Sequence, residues 1–419
     1  MFSGIFNRNN FSGPLLVLDI GTEVIKALVL TVTSDGERAE VVGVGRVAQK
    51  PGQMNSGAVS DIAGVISSAR LAMDRARERS GLKRAHKAVI GIAGELVKGT
   101  TTTVHYERVN PAVKISLPEL RTIIRKVQQK AYERIKQQIT WEVGRPIDIR
   151  LINAAIVDLR IDGYRVTNPL DFQGHNVSIS VFNAYAPLVH LGALEEIARA
   201  LGVDLVSVIA EPYAVASAIA PEDALDFSAV FIDIGGGTTD IAVVRAGGLE
   251  GAKMFALGGA AFSKRLQADL DITLAEAEEL KIRYSRGELD EDISRQIHQM
   301  LASDCAIWLD GVELSLQEFA QTEPLPSHIY LCGGGSALPG IKEVLLSRDW
   351  TERLAFISPP QVAFLQPSDV RKVEDRTGDL RDPQDVTPMA LGHIALDFVN
   401  EEKVITQILR GAMEKVQIT

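Results

Sequence analysis

Residues 231–244 read FIDIGGGTTDIAVV. Two β-branched, apolar runs flank three consecutive glycines, Asp233 stands before the glycines, and Thr238, Thr239 and Asp240 follow them. Such runs form strands. Glycines between them remove side chains, so the backbone N–H groups of the turn can approach an anion closely. A shorter version, DIGT, occurs at 19–22 inside PLLVLDIGTEVIKALVLTV (14–32). The strand–turn–strand unit therefore occurs twice, and the repetition predicts two related half-domains. Gly21, Gly235, Gly236 and Gly237 open the backbone, while Thr22, Thr238 and Thr239 add hydroxyl donors. Asp19 and Asp233 would repel a phosphate unless a cation lies between them. A Mg²⁺ ion held largely through water meets that need.

A third glycine loop, CGGGSALPG (332–340), lies between a strand-like run and a helix start, where N–H groups and the helix dipole favour something electron-rich. Gly333, Gly334 and Gly335 would leave a flat surface for a base, with Ser336 beside it. Between the second and third loops, LAEAEELKIRYSRG (274–287) places Glu278 and Lys281 three apart on one helical face. They form either a solvated i,i+3 ion pair or a pair that reaches the ribose and the base edge of a nucleotide.

Other nucleotide motifs are missing. The chain has no GxxxxGK[ST], and both turns lead into strands rather than helices. GVGRVA (43–48) lacks the third small residue of a dinucleotide fingerprint.

With 419 residues the chain exceeds what one core organises. Its composition, 46% hydrophobic and 23% charged, is that of a globular protein. A net charge of −10 argues against nucleic acid as a partner, because such binding needs a broad basic face. The two cysteines, Cys305 and Cys332, are isolated and read as buried thiols in a reducing compartment. The seven histidines form no HxxxH. No apolar run is long enough to span a membrane.

Along the chain, 59–81 has helical periodicity, and 86–94 is a buried strand. A strand–helix–strand–strand block follows, its helix at 117–139 with Leu120, Ile123, Ile124, Val127 and Ala131 on one face. That helix also carries Arg121, Arg125, Lys126, Lys130, Arg134 and Lys136, either a solvated basic face or a subunit contact. A strand at 176–187 and helices at 188–202 and 210–220 precede the second hairpin. Residues 260–320 read as mostly helical, 366–388 as a charged, Pro-rich loop, and the end of the chain as one or two helices.

Taken in order, VLDIGT (17–22), AEPYAVASA (210–218), FIDIGGGTTDIAVV (231–244) and IYLCGGGSALPGI (329–341) resemble the ATPase fold shared by actin, heat-shock chaperones and sugar kinases. The resemblance implies an α/β protein of two actin-like, ribonuclease-H-like halves around a nucleotide cleft. ATP and Mg²⁺ would be gripped by the two hairpins, with Asp19 and Asp233 in the magnesium shell. Glu211, in Ala-Glu-Pro, matches the position where many members keep an acid that orients the attacking water; equally, it is an acid favoured at a helix N-terminus.

Within this fold the chain is most similar to the bacterial FtsA family. Residues 95–178 resemble its inserted subdomain, and 41–62, 258–285 and 387–398 are further similarities. The resemblance implies an N-terminal tail (1–13) and a first half at 14–94 and 179–225, interrupted by the insertion. A second half at 226–386 follows, with a helical outer part near 255–325, and C-terminal helices (387–419) partly return to the first half. It also implies a cytoplasmic protein, peripheral on the inner face of the cell membrane, that self-associates into filaments or dimers. It would link a ring of the tubulin-like FtsZ to the membrane, with nucleotide as an assembly switch and at most slow ATPase activity. The PilM family of type IV pilus assembly proteins, whose partners are pilus inner-membrane proteins, shares the layout and is the alternative. A small-molecule kinase is the alternative of another class. Residues 1–11, with Phe2, Ile5 and Phe6, and the amphipathic stretch 400–419 are candidate membrane or partner contacts. The short segment between Ser285 and Leu325 implies a reduced outer subdomain.

Overall fold

In the computed structural model, which describes residues 13–82, 85–221, 226–321 and 323–399, the first glycine turn joins β1 (Leu15–Ile20) to β2 (Val24–Val32). β3 (Ala39–Ala48) completes an antiparallel meander. A short hairpin of β4 (Met54–Asn55) and β5 (Ala58–Val59) leads into α1 (Ile62–Ser80). Asp61 caps α1 by accepting from the Gly64 N–H, and Gly81 ends it in the left-handed region at φ 67°. The helix lies hard against β3. A β-carbon at Gly43 or Gly45 would sit 2.1 or 1.9 Å from the carbonyl oxygens of Ala76 and Ala72. The glycines of GVGRVA therefore serve helix–sheet packing. β6 (Lys87–Ile92) then pairs in parallel with β1.

The insertion follows: β7 (Lys98–Glu107), α2 (Leu117–Val143), β8 (Ile149–Ile161), β9 (Tyr164–Arg165) and β10 (Asn176–Pro187), with sheet order β7-β10-β8-β9. The expected apolar stripe of α2 is buried on this sheet. The helix runs four residues past Ile139 and stops at Gly144, φ 74°. Five of its six basic side chains are exposed and Lys136 is half-buried. Arg134 pairs with Glu318 of the second half at 3.1 Å, a contact within the chain. Next come α3 (Leu188–Leu201), β11 (Asp204–Ala210), parallel to β6, and α4 (Glu211–Ile219).

The second half repeats the plan with β12 (Ala229–Ile234), β13 (Thr239–Arg245) and β14 (Gly248–Phe255) as the meander. Three helices follow, α5 (Gly259–Leu270), α6 (Leu274–Ser285) and α7 (Glu291–Ala320). β15 (His328–Cys332) pairs in parallel with β12, and after α8 (Pro339–Leu345) and α9 (Arg348–Arg353), β16 (Gln361–Phe364) pairs with β15. The strand order β16-β15-β12-β13-β14 mirrors β11-β6-β1-β2-β3 of the first half. The duplicated hairpin is thus the visible part of a duplicated five-stranded sheet. The segment between Ser285 and Leu325 is filled by the 30-residue helix α7, with Ile297, Leu301, Trp308, Val312 and Leu316 in the core.

The stretch 366–388, expected as a loop, contains β17 (Val373–Asp375), which pairs with the far edge of β3. Its backbone partner lies more than 300 residues away in the chain, so no local pattern marks it. The chain has therefore rejoined the first sheet before α10 (Val386–Val399), which packs on β1, β2, β6 and α4. The insertion's β7 pairs with β14 at Gly99–Ala252 and Thr100–Gly251, making one nine-stranded sheet of the second half and the insertion. Both cysteines are buried, and burial pushes each thiol up, Cys305 to about 12. Among the described residues no helix is long and apolar enough to cross a membrane. The candidate contacts at 1–11 and 400–419 lie outside the described residues.

Candidate functional site

The two glycine hairpins face and touch each other. A β-carbon at Gly237 would lie 2.6 Å from Thr22 Oγ1, and one at Gly236 would lie 2.4 Å from Glu23 Cγ. Backbone bonds hold the second turn from behind. Gly235 N–H donates to Thr238 O at 2.9 Å, while the carbonyls of Gly235 and Gly236 accept from Gly259 and Ala260, the first amides of α5, each at 2.8 Å. The orphan amides of the helix start are thereby satisfied by the loop.

Strand register puts the acids together. Asp19 stands directly across from Lys26, and, seven residues along in the same way, Asp233 stands across from Asp240. The first pair is complementary: Lys26 Nζ donates to Asp19 Oδ2 at 3.1 Å and to Gln384 O at 2.8 Å. The second pair is of like charge, an unfavourable cross-strand combination. Asp233 accepts from Thr387 Oγ1. Asp240 accepts from Thr238 Oγ1 at 3.3 Å, and its buried Oδ1 has no partner. Glu211, the first residue of α4, joins the same cluster; a β-carbon at Gly91 would lie 2.7 Å from its Oε1, so glycine there leaves room for the carboxylate.

The electrostatics follow from crowding four buried carboxylates, Asp19, Asp233, Asp240 and Glu211, around one lysine. Burial first, then Asp19, Asp240 and Asp233, hold Glu211 well above the usual carboxylate range, against the pull of Lys26. Burial and then Asp233 do the same to Asp240. Burial raises Asp233, while Thr387 and Lys26 pull it down. For Lys26 burial lowers the ammonium, but Asp19, Asp233 and Asp385 outweigh it and the net shift is upward. Such a set lacks positive charge. Among the described residues no three ligand side chains converge to hold a metal directly, so any cation here would be held mainly through water.

The remaining expected residues divide. Lys281 and Glu278 form their ion pair at 2.7 Å, but the pair is not on a solvated face: Lys281 is buried and donates to Gly259 O at 3.0 Å. A β-carbon at Gly259 would lie 3.4 Å from Lys281 Nζ and 3.8 Å from Gly335 Cα, so the pair sits where α5 meets the third loop. In that loop Gly334 is exposed, whereas Gly333, at φ 82°, and Gly335 are pressed onto the end of β12. A β-carbon at Gly333 would lie 2.1 Å from Asp233 Oδ1. Two of the three glycines thus serve close packing rather than an open platform. Ser336 is fully buried and gives its hydroxyl to Gly333 O at 2.7 Å. Thr239, expected beside Thr238 at the phosphates, points the other way. Successive strand residues alternate faces, and its Oγ1 donates to Leu257 O at 2.7 Å and accepts from Trp308 Nε1 at 2.9 Å.

Sequence reading passed over Lys26, Asp240, Glu23 and Asn153. The first two had a signal: a lone lysine or aspartate in an otherwise apolar strand, opposite a turn acid. Asn153, in the insertion, accepts from the Ala210 N–H at 2.8 Å and so fixes the residue before Glu211; nothing local marks it.

Residues 230–387 match the family model for the cell division protein FtsA. The chain is similar to the FtsA proteins. The FtsA of Pseudomonas aeruginosa is 27% identical over 358 residues, 80% of this chain and 80% of that protein. The FtsA of Bacillus subtilis is 24% identical over 345 residues, 77% of this chain and 74% of that protein. Among solved structures, the PilM–PilN type IV pilus biogenesis complex matches with a TM-score of 0.65 at 18% identity, covering 92% of this chain and 99% of that one, a likeness of fold. The FtsA-matching segment opens in β12 and closes at Thr387, the residue that bonds Asp233. It therefore holds the second and third glycine loops, the Glu278–Lys281 pair and the Asp233–Asp240 pair.

Proposed function

We propose that the chain is an ATP-binding actin-like protein that works in cell division, with the nucleotide and Mg²⁺ seated between the two hairpins. One observation carries this reading: two glycine turns, one from each half, meet over a buried carboxylate cluster with a single lysine and an unpartnered carboxylate oxygen on Asp240. Lys26 offsets only part of the cluster's charge, and a hydrated divalent cation would neutralise the rest. Gly21, Thr22, Gly235, Gly236, Gly237 and Thr238 would line the phosphates. Asp19 and Asp233, with Asp240, would face the hydrated cation. Glu278, Lys281 and Gly334 would border the nucleoside end. Bound Mg²⁺ would supply charge neutralisation for phosphoryl chemistry. Glu211 would be the acid nearest that chemistry, and turnover by one such acid would be slow.

Nucleotide would change the angle between the halves and thereby self-association, in the manner of a hinge. The likeness to FtsA supports a role beneath the cell membrane, joining a tubulin-like division ring to it. The test is titration of the full chain with Mg-ATP in a calorimeter, followed by pelleting with and without lipid vesicles and an FtsZ-type protein. Saturable uptake and ATP-dependent co-pelleting with that partner are expected. No uptake in the presence of Mg²⁺ would sink the nucleotide site, and fast phosphoryl transfer to a small molecule would favour a kinase instead.

A further inference from the structure

Directly after the first turn stands Glu23, a carboxylate outside the Lys26 cluster. Its side chain reaches the other half. A β-carbon at Gly236 would lie 2.4 Å from Glu23 Cγ and 3.0 Å from its Cβ, so the stem of Glu23 covers the middle glycine of the second turn. The backbone of neither turn yields easily. Gln49 braces the first turn, its backbone N–H donating to Glu23 O at 2.8 Å and its Nε2 to Gly21 O at 2.9 Å. The second turn is braced by the α5 amides. The Glu23 side chain is exposed, and Lys264 of α5 and the Glu278–Lys281 pair of α6 act on its carboxyl electrostatically. Withdrawal from water and the Glu278 charge raise it above the ordinary glutamate range, against the pull of Lys281 and Lys264. The stem rests on Gly236 although the side chain as a whole is exposed, so a better anion can take its place.

We infer that Glu23 is a built-in anionic wedge: its stem covers Gly236 of the second glycine turn, and a polyphosphate–metal ligand must displace it to bind that turn. The inference rests on the nucleotide reading above. Its consequence is that Glu23 sets affinity downward, since only the fraction of molecules with the wedge withdrawn is competent to bind.

Two measurements on the full chain test it, comparing the native protein with Glu23→Ala and Glu23→Gln. Hydrogen exchange without ligand reads the cover itself: amides at 235–238 exchange faster in Glu23→Ala, while those of β12 and β13 are unchanged. Calorimetric titration with Mg-ATP reads the competition. Glu23→Ala binds about tenfold more tightly, and Glu23→Gln, which keeps the stem but loses the charge, falls between. Unchanged exchange in Glu23→Ala overturns the wedge, as does equal or weaker Mg-ATP binding. Faster exchange in Glu23→Ala with no Mg-ATP uptake by any of the three proteins supports the wedge and defeats the nucleotide reading.

Discussion

Asp240 shows how one residue can decide what a site needs. It faces Asp233 across the strand pair, is buried, and keeps one carboxylate oxygen without a partner. Its raised folded pKa means that the folded protein retains a proton over a pH range in which the unfolded chain has lost it. Folding is therefore penalised as pH rises above the ordinary aspartate value of 3.8, with the penalty complete above the folded pKa and absent below the unfolded one. Asp240→Asn should raise the melting temperature at pH 8, and the gain should vanish near pH 3.5. Thermal unfolding at the two pH values measures this; a lower melting temperature at pH 8 would mean that Asp240 is already compensated. The same substitution should weaken the stabilisation by Mg-ATP. Legibility at this scale was uneven. Asp19 and Asp233 stood out because a charge in an apolar run must have a purpose, and Glu211 stood out through the resemblance carried by Ala-Glu-Pro. Thr239 did not stand apart from Thr238, because two adjacent threonines look alike until the pleat sends them to opposite faces.

Elements were legible where their own pattern dictates them. The periodic face of α2 and the apolar runs of β1, β2, β12 and β13 each carry their instruction locally. What links elements was not. Gly45 admits α1 at 1.9 Å from where a β-carbon would be, and the atom met is a backbone oxygen that cannot swing aside. Gly45→Ala should cost about 3 kcal/mol, read as a shift in the denaturant midpoint, whereas Gly192→Ala tests the background at an open position in α3. Asn153 ties the insertion to the start of α4. Asn153→Ala leaves the buried Ala210 N–H unpaired, at a cost of about 1–3 kcal/mol. Faster hydrogen exchange should appear at residues 209–213, while the distal tip of the insertion near 162–175 stays unchanged. A uniform change across the insertion would instead indicate that Asn153 only supports its own sheet.

For the whole molecule the relevant quantity is how the halves meet. Lys26 of the first half bonds Gln384 O, and Thr387 bonds Asp233 of the second, so the returning segment joins both halves. Mg-ATP should therefore protect amides at 19–23 and 233–238 together and raise the melting temperature. Protection of one hairpin alone would contradict a ligand held between the halves.

By itself the sequence determined the duplicated strand–glycine–strand units, the three glycine loops, the strand–helix–strand–strand block and the acids beside the turns, because each is written in neighbouring residues: alternation, helical period, side-chain absence. Only the tertiary structure decided that Asp233 faces Asp240, that β17 closes the first sheet, that Gly333 and Gly335 pack against β12, and that Glu23 lies on Gly236 of the other half. Those facts depend on register and on contacts between residues far apart in the chain, which local chemistry does not encode.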